Sequence, residues 1–503
     1  MTGKRIRSFG PILGLSAILI VAGWFRFYHL EDNLHWRGDE GRDTTIIRQM
    51  LITHRPVLTG PTTSVGTAVG PLYLGPLIYY LEAPGLWLAN YSPVGPAVVT
   101  IIFSLATLVL LWLIGRQWFS PLAGWVAAGA YALSTNAILY GRHAWNPNFM
   151  PFFVLLLVWS LWRAWNGIGK WNWIIIGGSF AAVVQLHAIG WVMLIPIMAV
   201  WTLTALSRRE KATTNNRRKF FVASLAGLLI FIAIMSPLII YDLTHRGYNW
   251  RVVTSYVQER LQSPSSDLYK SAGRMLTQIP AVFEDTIVGN FPALGWASIW
   301  FIIFLILKRH RPWPTGERRA LLLIGGWFIC GIVALAFNPE PLMPHYRIFL
   351  WPIAWLTLGW AAWQLVRRWE RYKYFWLIGW GIFLTVAGIK FMTNPNTVPP
   401  PYDYRATKQT AEIIAQTSNQ RPFALTMSSL RLNYVDAYKY QVNLAGLTDV
   451  PLADANQAYV VYEDENNSSV SLKLIQKSSF VDGTIDQSWA LAPAVSLIRV
   501  TRP

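Results

Sequence analysis

Seven consecutive residues, Arg37-Gly38-Asp39-Glu40-Gly41-Arg42-Asp43, bring five charged side chains together in a chain that is only 14% charged. Carboxylates grouped this way suit proton abstraction from a weak nucleophile such as a hydroxyl, and arginines suit a phosphate. The plainer reading is a solvated charge cluster, with Asp43 capping the helix that follows. Three other segments carry matching chemistry. Arg142, His143 and Asn146 stand within residues 141–147, Asp242, His245 and Arg246 open a long polar loop, and His345, Tyr346 and Arg347 end residues 338–347. Cations suit a phosphate there, and rings suit a sugar face or a lipid chain. Anchoring at a membrane rim is the plain alternative for His345 and Arg347. His187 interrupts an apolar run and reads more simply as a satisfied histidine than as a ligand.

The elements that position these residues follow from hydropathy. The 503 residues are 53% hydrophobic, with 27 Trp and a formal charge of +18, and the mean hydropathy is +0.33. A soluble protein of this length needs more surface charge, whereas apolar runs of roughly 18 or more residues read as transmembrane helices. About eleven spans of that kind fall near 11–30, 94–115, 121–140, 148–165, 172–187, 188–206, 220–241, 291–307, 320–337, 348–366 and 374–392. The run 172–206 is divided at Gln185-Leu186-His187, because polar groups in mid-membrane are expensive. The first span lacks a small-x-small cleavage site and reads as a retained signal anchor.

Lysine and arginine set the orientation. Basic clusters at Lys4–Arg7, 207–219, 308–319 and 367–373 all fall on one side of these spans, which is then cytoplasmic. The positive charge is thereby a topology signal rather than a nucleic-acid footprint, and no nucleic-acid motif accompanies it. All four chemical segments lie on the opposite, outer side, with residues 31–93, the turn at 187, the loop 242–290 and everything after 393. Residues 44–52 have amphipathic helical spacing and are expected on the membrane surface, and 60–88 reads as a Gly- and Pro-punctuated loop leading into a short interfacial helix. Cys330 is the single cysteine, so no intramolecular disulfide forms.

Composition shifts after residue 393. A Pro-rich linker at 394–401 precedes a polar segment, 402–503. Helices near 404–417 and 433–444 and strands near 421–427, 457–463, 470–475 and 495–501 predict a small α/β domain. The acidic run at 460–467 reads as a solvated loop. The expected fold is therefore a polytopic α-helical membrane protein, residues 1–393, with a C-terminal α/β domain on the outer side.

The Asp39-Glu40 pair after the first span, the segment GPLYLGPLIYYL at 70–81, WNPN at 145–148 and the odd set of spans together resemble the GT-C class of membrane glycosyltransferases, in family 39. That family includes protein O-mannosyltransferases and the lipid A aminoarabinose transferase, and the resemblance runs from residue 11 to about 392. It implies transfer of a sugar from a polyprenyl-phosphate carrier, at the outer face of the plasma membrane, to a lipid, glycan or protein acceptor, with inversion. Asp39 would be the base, with Glu40 binding the acceptor or assisting. Arg42, Arg142, Arg246 and Arg347 are candidates for stabilising the departing phosphate, and His143, Asn146, Asp242, His245, His345 and Tyr346 for binding substrate. Two departures stand out. The aminoarabinose transferases carry a Glu-Lys, associated with a metal, where this chain has Val69-Gly70, so a divalent metal is not assigned; the isolated spacing of Asp242 and His245 is weak evidence for one. Asn146 stands where a second acid is expected. A lipid-linked sugar flippase would want charge inside the bundle, where it is scarce, and an envelope scaffold would give no reason for Asp39-Glu40.

Overall fold

The structure is a computed structural model. It describes residues 3–369 with short interruptions (170, 212–213, 263–265, 289–290, 309–311 and 338–341), scattered positions in 371–386, and 403–502 except 429–433, 464–482 and 493–494. The chain opens with α1 (Gly3–Phe27), α2 (Gly38–Thr53), a hairpin of β1 (Thr62–Thr67) and β2 (Gly70–Tyr73), and α3 (Leu77–Leu88). A helical bundle follows: α4 (Val94–Trp118), α5 (Pro121–Leu133), α6 (Thr135–Tyr140), α7 (Met150–Trp165), α8 (Asn172–Leu186), α9 (Leu194–Lys211) and α10 (Thr214–Thr244). Then come α11 (Tyr248–Leu261), α12 (Ser266–Phe283), α13 (Pro292–Leu307), α14 (Thr315–Ala336) and α15 (Trp351–Arg368).

Six helical stretches among the described residues are long and apolar enough to cross a membrane: 10–27, 94–118, 146–165, 188–207, 216–244 and 315–336. Fewer qualify than the eleven expected, and the shortfall has local causes. The expected span 121–140 breaks where Ser134 takes an extended conformation between α5 and α6. The run 172–206 breaks at His187, also extended, which is where its polar residues placed the division. Near 291–307, α13 follows α12 at a sharp bend, and the eleventh span, 374–392, falls largely outside the described residues. Helix α10 exposes Leu228, Leu229 and Ile232, as expected of a lipid-facing helix. The largest fully buried side chains include Trp327, Trp351, Trp355 and Trp360, so these tryptophans pack the interior instead of anchoring at an interface.

Buried Arg26 sits at the end of α1. Its guanidinium donates to Ser104 Oγ at 2.8 Å and to the carbonyls of Ala132 and Ala137 at 3.4 and 3.3 Å, and it stacks over Tyr131. The α5–α6 break frees the Ala132 carbonyl that a continuous helix would satisfy, and Arg26 takes it up while also bonding the Ala137 carbonyl, which accepts the Gly141 amide as well. It thereby fixes the start of the 141–149 loop.

The C-terminal unit comprises α16 (Asp403–Thr417), β3 (Phe423–Ser428), α17 (Val435–Leu444), β4 (Gln457–Glu463), β5 (Thr484–Ala492) and β6 (Val495–Thr501). Its sheet runs β3-β4-β6-β5, with β3 and β4 parallel and the other pairs antiparallel. The parallel pair needs a crossover, and α17 lies within it. Strand β5 was not expected, and the strand expected near 470–475, the linker 394–401 and most of the acidic loop lie outside the described residues.

Candidate active site

Helix α2 begins inside the charge cluster. Arg37 is its N-cap, and the Arg37 amide donates to Glu40 Oε2 at 3.0 Å, so Glu40 satisfies one of the free amides at the helix start. Asp43, expected as the cap, lies a full turn inside the helix. Nor does α2 rest on a membrane surface: Gly38, Glu40, Gly41, Asp43, Thr44 and Ile47 are buried.

The helical period then sorts the charges onto different faces. Asp39 and Arg42 line a cavity of about 830 Å³, and the Asp39 side chain is half exposed. Arg42 Nη1 donates to Asp39 Oδ1 at 2.9 Å and its Nε to Asp43 Oδ1 at 2.8 Å. Asp43 is buried and also accepts from the Tyr79 hydroxyl at 3.2 Å. Burial raises Asp43 to about 7 against the opposing attraction of Arg42. Close by, Glu82 is buried with Oε1 unpartnered. Burial, and then the charges of Asp43 and Glu40, push it well above the usual carboxylate range.

Glu40 turns to the other side and is not among the residues that line the cavity, which removes it from the direct acceptor contact expected of it. Its Oε1 lies 3.1 Å from His35 Nδ1 and also contacts His143 Nε2. Burial would raise Glu40, but the two imidazoles hold it well below the usual range. Burial likewise lowers His143 to about 4. At neutral pH this leaves an ionised Glu40 beside an uncharged His143 ring.

The opposite wall comes from the breaks between helices. His187, Trp145, Asn146, His345 and Tyr346 all line the cavity. Trp145 packs edge-on against His345, with ring centroids 4.6 Å apart, and His187 against Tyr346 at 5.3 Å. Burial lowers His187 to about 3 and His345 to about 4, so at neutral pH both are hydrogen-bonding rings and not cations. Asn146 donates through Nδ2 to the Leu186 carbonyl at 2.6 Å. The β1–β2 hairpin contributes Thr62–Val65, and Ser64 Oγ sits 3.1 Å from the Tyr346 hydroxyl. Helix α12 adds Arg274 and Ser271.

Several expected binding residues lie elsewhere. Arg347 is buried, donating twice to Asp285 at 2.7 and 3.1 Å and once to Gln278 at 2.7 Å. All of its fork is directed at those two side chains, so it does not reach the cavity as a phosphate grip would. Arg142 is buried and donates to the Tyr28 carbonyl at 3.4 Å. Asp242 Oδ1 accepts the Asn249 amide at 2.6 Å, and His245 stacks on Tyr241 with centroids 4.1 Å apart. These two, with Arg246 in a left-handed turn, build the α10–α11 corner and do not converge on a metal. That corner supports the hairpin, since Asn249 pairs with the backbone of Tyr73. Val69-Gly70 offers no side-chain donor where the resemblance places a metal ligand. The sequence reading missed the hairpin wall and Asp285, and had singled out neither His35 nor Glu82.

Comparison with known proteins adds a family match over part of the chain, and a fold. Residues 73–241 match the family model described as dolichyl-phosphate-mannose-protein mannosyltransferase. A search of curated protein sequences gives no match. The structure is similar to that of ArnT from Cupriavidus metallidurans bound to undecaprenyl phosphate, at TM-score 0.58 and 13% identity, with 97% of each chain covered. It is also similar to the archaeal oligosaccharyltransferase AglB from Archaeoglobus fulgidus in complex with an inhibitory peptide and a dolichol-phosphate. There the TM-score is 0.53 and the identity 12%, covering 90% of this chain and 69% of that one. With the segment match and the shared architecture, the chain is a GT-C-fold membrane protein similar to the glycosyltransferases of family 39.

Proposed function

We propose that the protein transfers a sugar from a polyprenyl-phosphate carrier to an acceptor at the outer face of the membrane. The observation that carries this reading is the placement of Asp39. It is a half-exposed carboxylate on the wall of a large cavity that Trp145, His187, His345, Tyr346 and Arg274 also line, and it is flanked by Arg42. The family match and the structural neighbours, one solved with undecaprenyl phosphate and one with a dolichol-phosphate, support a lipid phosphate as the carrier. The four basic segments support the placement of the cavity on the side away from the cytoplasm.

In this reaction the acceptor oxygen attacks the anomeric carbon as the bond from that carbon to the phosphate oxygen breaks. The leaving phosphate keeps the bonding electrons. Asp39 takes the hydroxyl proton as attack develops and, being half exposed, can return it to solvent. Arg42, held between Asp39 and Asp43, orients the base and sets positive charge beside the developing phosphate. Neutral His187 and His345 can hydrogen-bond the sugar or the phosphate without adding charge. Direct displacement uses one carboxylate at the reacting carbon, in contrast to the acid pair flanking the bond in glycosidases.

The reading is tested by incubating purified full-length protein with a panel of polyprenyl-phosphate sugars and candidate acceptors, then measuring released polyprenyl phosphate and glycosylated product. Acceptor-dependent release from at least one donor is the expected result. Binding of carriers without turnover of any donor would instead favour the flippase reading.

A further inference from the structure

Behind the wall that carries Asp39, three side chains from two distant parts of the chain meet at one point. His35 Nδ1, Glu40 Oε1 and His143 Nε2 all lie within 4.8 Å of one another, and the two imidazole rings are 4.0 Å apart between centroids. Hydrogen bonding alone explains this only if both rings carry their proton on the inward nitrogen and both converge on a single carboxylate oxygen. The other oxygen, Oε2, is already engaged by the Arg37 amide. A bound cation explains the same three atoms more directly, because it takes a lone pair from each of them. It also supplies a counter-charge for Glu40, whose side chain is only 4% exposed, in a setting where an unpaired buried carboxylate is costly.

We propose that His35, Glu40 and His143 form a transition-metal site. Two imidazoles and one carboxylate match the ligand preference of Zn²⁺ and neighbouring borderline ions; magnesium and calcium favour oxygen ligands. Three protein ligands leave one coordination position open, and His35, 29% exposed, marks the side from which an ion and a water would enter. The surroundings are built to hold the ligands still. The His143 carbonyl accepts from Asn148 Nδ2 at 2.7 Å, and the His143 ring is stacked on Trp145 with centroids 5.5 Å apart. Arg37, the nearby cation on the same segment, has its guanidinium over the Tyr434 ring.

The site is a staple, not part of the reacting surface. It joins the first turn of α2 to the loop after α6, and its ligand Glu40 directly follows Asp39. Its other ligand, His143, precedes Trp145 on the facing wall. An ion here fixes the distance between the proposed base and that wall. It lies apart from Val69-Gly70 and from Asp242 and His245, and it does not depend on the transferase reading.

The test is metal analysis of the full-length protein in detergent, as purified, after chelator dialysis, and after reloading with Zn²⁺ or Co²⁺. About one ion per chain is expected by mass spectrometry, with visible Co²⁺ absorption that Zn²⁺ displaces. Because the ion binds the folded state, melting temperature should rise with Zn²⁺ concentration. His35→Ala and His143→Ala should each lose at least about 10–100-fold in affinity, the range seen when even outer partners of metal ligands are removed, while His245→Ala keeps the ion. Wild-type protein that takes up no more metal than His143→Ala, or whose melting temperature ignores Zn²⁺, overturns the proposal; the wild-type readouts decide it even if a variant fails to fold. None of these readouts requires sugar transfer, so a failure of the proposed reaction and a failure of the metal site are separately visible.

Discussion

Arg42 and Arg347 each follow a stretch that brings chemistry to the cavity, and each directs its guanidinium at aspartate. Arg42 bridges Asp39 and Asp43 on α2. Arg347 clasps Asp285 from two nitrogens and reaches Gln278 with the third. The pairs differ in what water can reach. Asp39 is half exposed and on the cavity wall, while both partners of the Arg347 pair are under a tenth exposed. In the first pair the carboxylate remains available to a substrate. In the second, the charges are spent holding the corner between α12, α13 and α15, and only the neighbours His345 and Tyr346 face the cavity. A charged residue near a site therefore reads as chemistry only when its partner leaves part of it open.

The largest expected effect breaks the open pair. Asp39→Asn keeps the shape and a hydrogen-bond acceptor for Arg42 but cannot take a proton. Turnover should fall by about 10²–10⁴-fold, the usual contribution of a positioned general base, with carrier binding and melting temperature nearly unchanged. Full transfer by this variant would remove Asp39 from the mechanism.

Breaking the closed pair should act on stability. Arg347→Met leaves Asp285 buried without its cation, which costs about 3–5 kcal/mol when one partner of a buried pair is lost. Adding Asp285→Asn removes the stranded charge and should recover part of that loss. A double variant no more stable than Arg347→Met in thermal unfolding would show that the pair is not the main tie at this corner.

Asp43 connects the two behaviours, since it shares Arg42 with Asp39 but is buried. Its pKa rises from 3.8 to about 7 because burial penalises the charge. An acid raised in the folded state stabilises while it is protonated. That contribution is present below the unfolded value and is lost as pH climbs toward 7. The stability of wild type relative to Asp43→Asn should therefore decline between pH 4 and 7 by at most about 4 kcal/mol and level off above. Thermal unfolding of both proteins across that range measures the difference, and a constant difference would place Asp43 as a permanently ionised partner of Arg42.

How much of this was legible follows from where the signal lies. Asp39 stood out because charge is rare in the chain and the cluster follows an apolar span. The division at His187 was readable because a polar group in mid-membrane is expensive. Other features depend on partners distant in sequence. Residues 62–73 read as a loop, since a short Thr- and Gly-rich hairpin needs the support of Asn249 to pair. Arg347 read as a phosphate grip because nothing local announces Asp285. Strand β5 was missed because Thr484–Ala492 mostly shows exposed, polar positions, as an edge strand can. His35 looked unremarkable until the loop carrying His143 folded back onto it.

Gly41 gives the last and smallest effect, and it concerns what holds α2 from behind. Helix α17 lies against α2 so closely that a Cβ on Gly41 would stand 2.3 Å from the Ala437 amide nitrogen. The contact is backbone, so no side-chain rotation relieves it. Around it, Trp36 donates to the Ala437 carbonyl at 3.3 Å and Tyr440 to the Tyr91 carbonyl at 2.6 Å. At the rim, Arg405 pairs with Asp32 and Lys408 with Glu31, exposed pairs of the kind worth little individually. Gly41→Ala should therefore push α17 away from α2 at a cost of about 1–3 kcal/mol, the usual range for overpacking. Asp39 and Arg42 lie on the neighbouring faces of the same helical turn, so their spacing to Trp145 should shift with it. The expected signature is faster proteolysis of the C-terminal unit, a lower melting temperature and a modest loss of turnover. If Gly41→Ala loosens the C-terminal unit while turnover stays at the wild-type level, that unit is docked on the site helix without helping to place it.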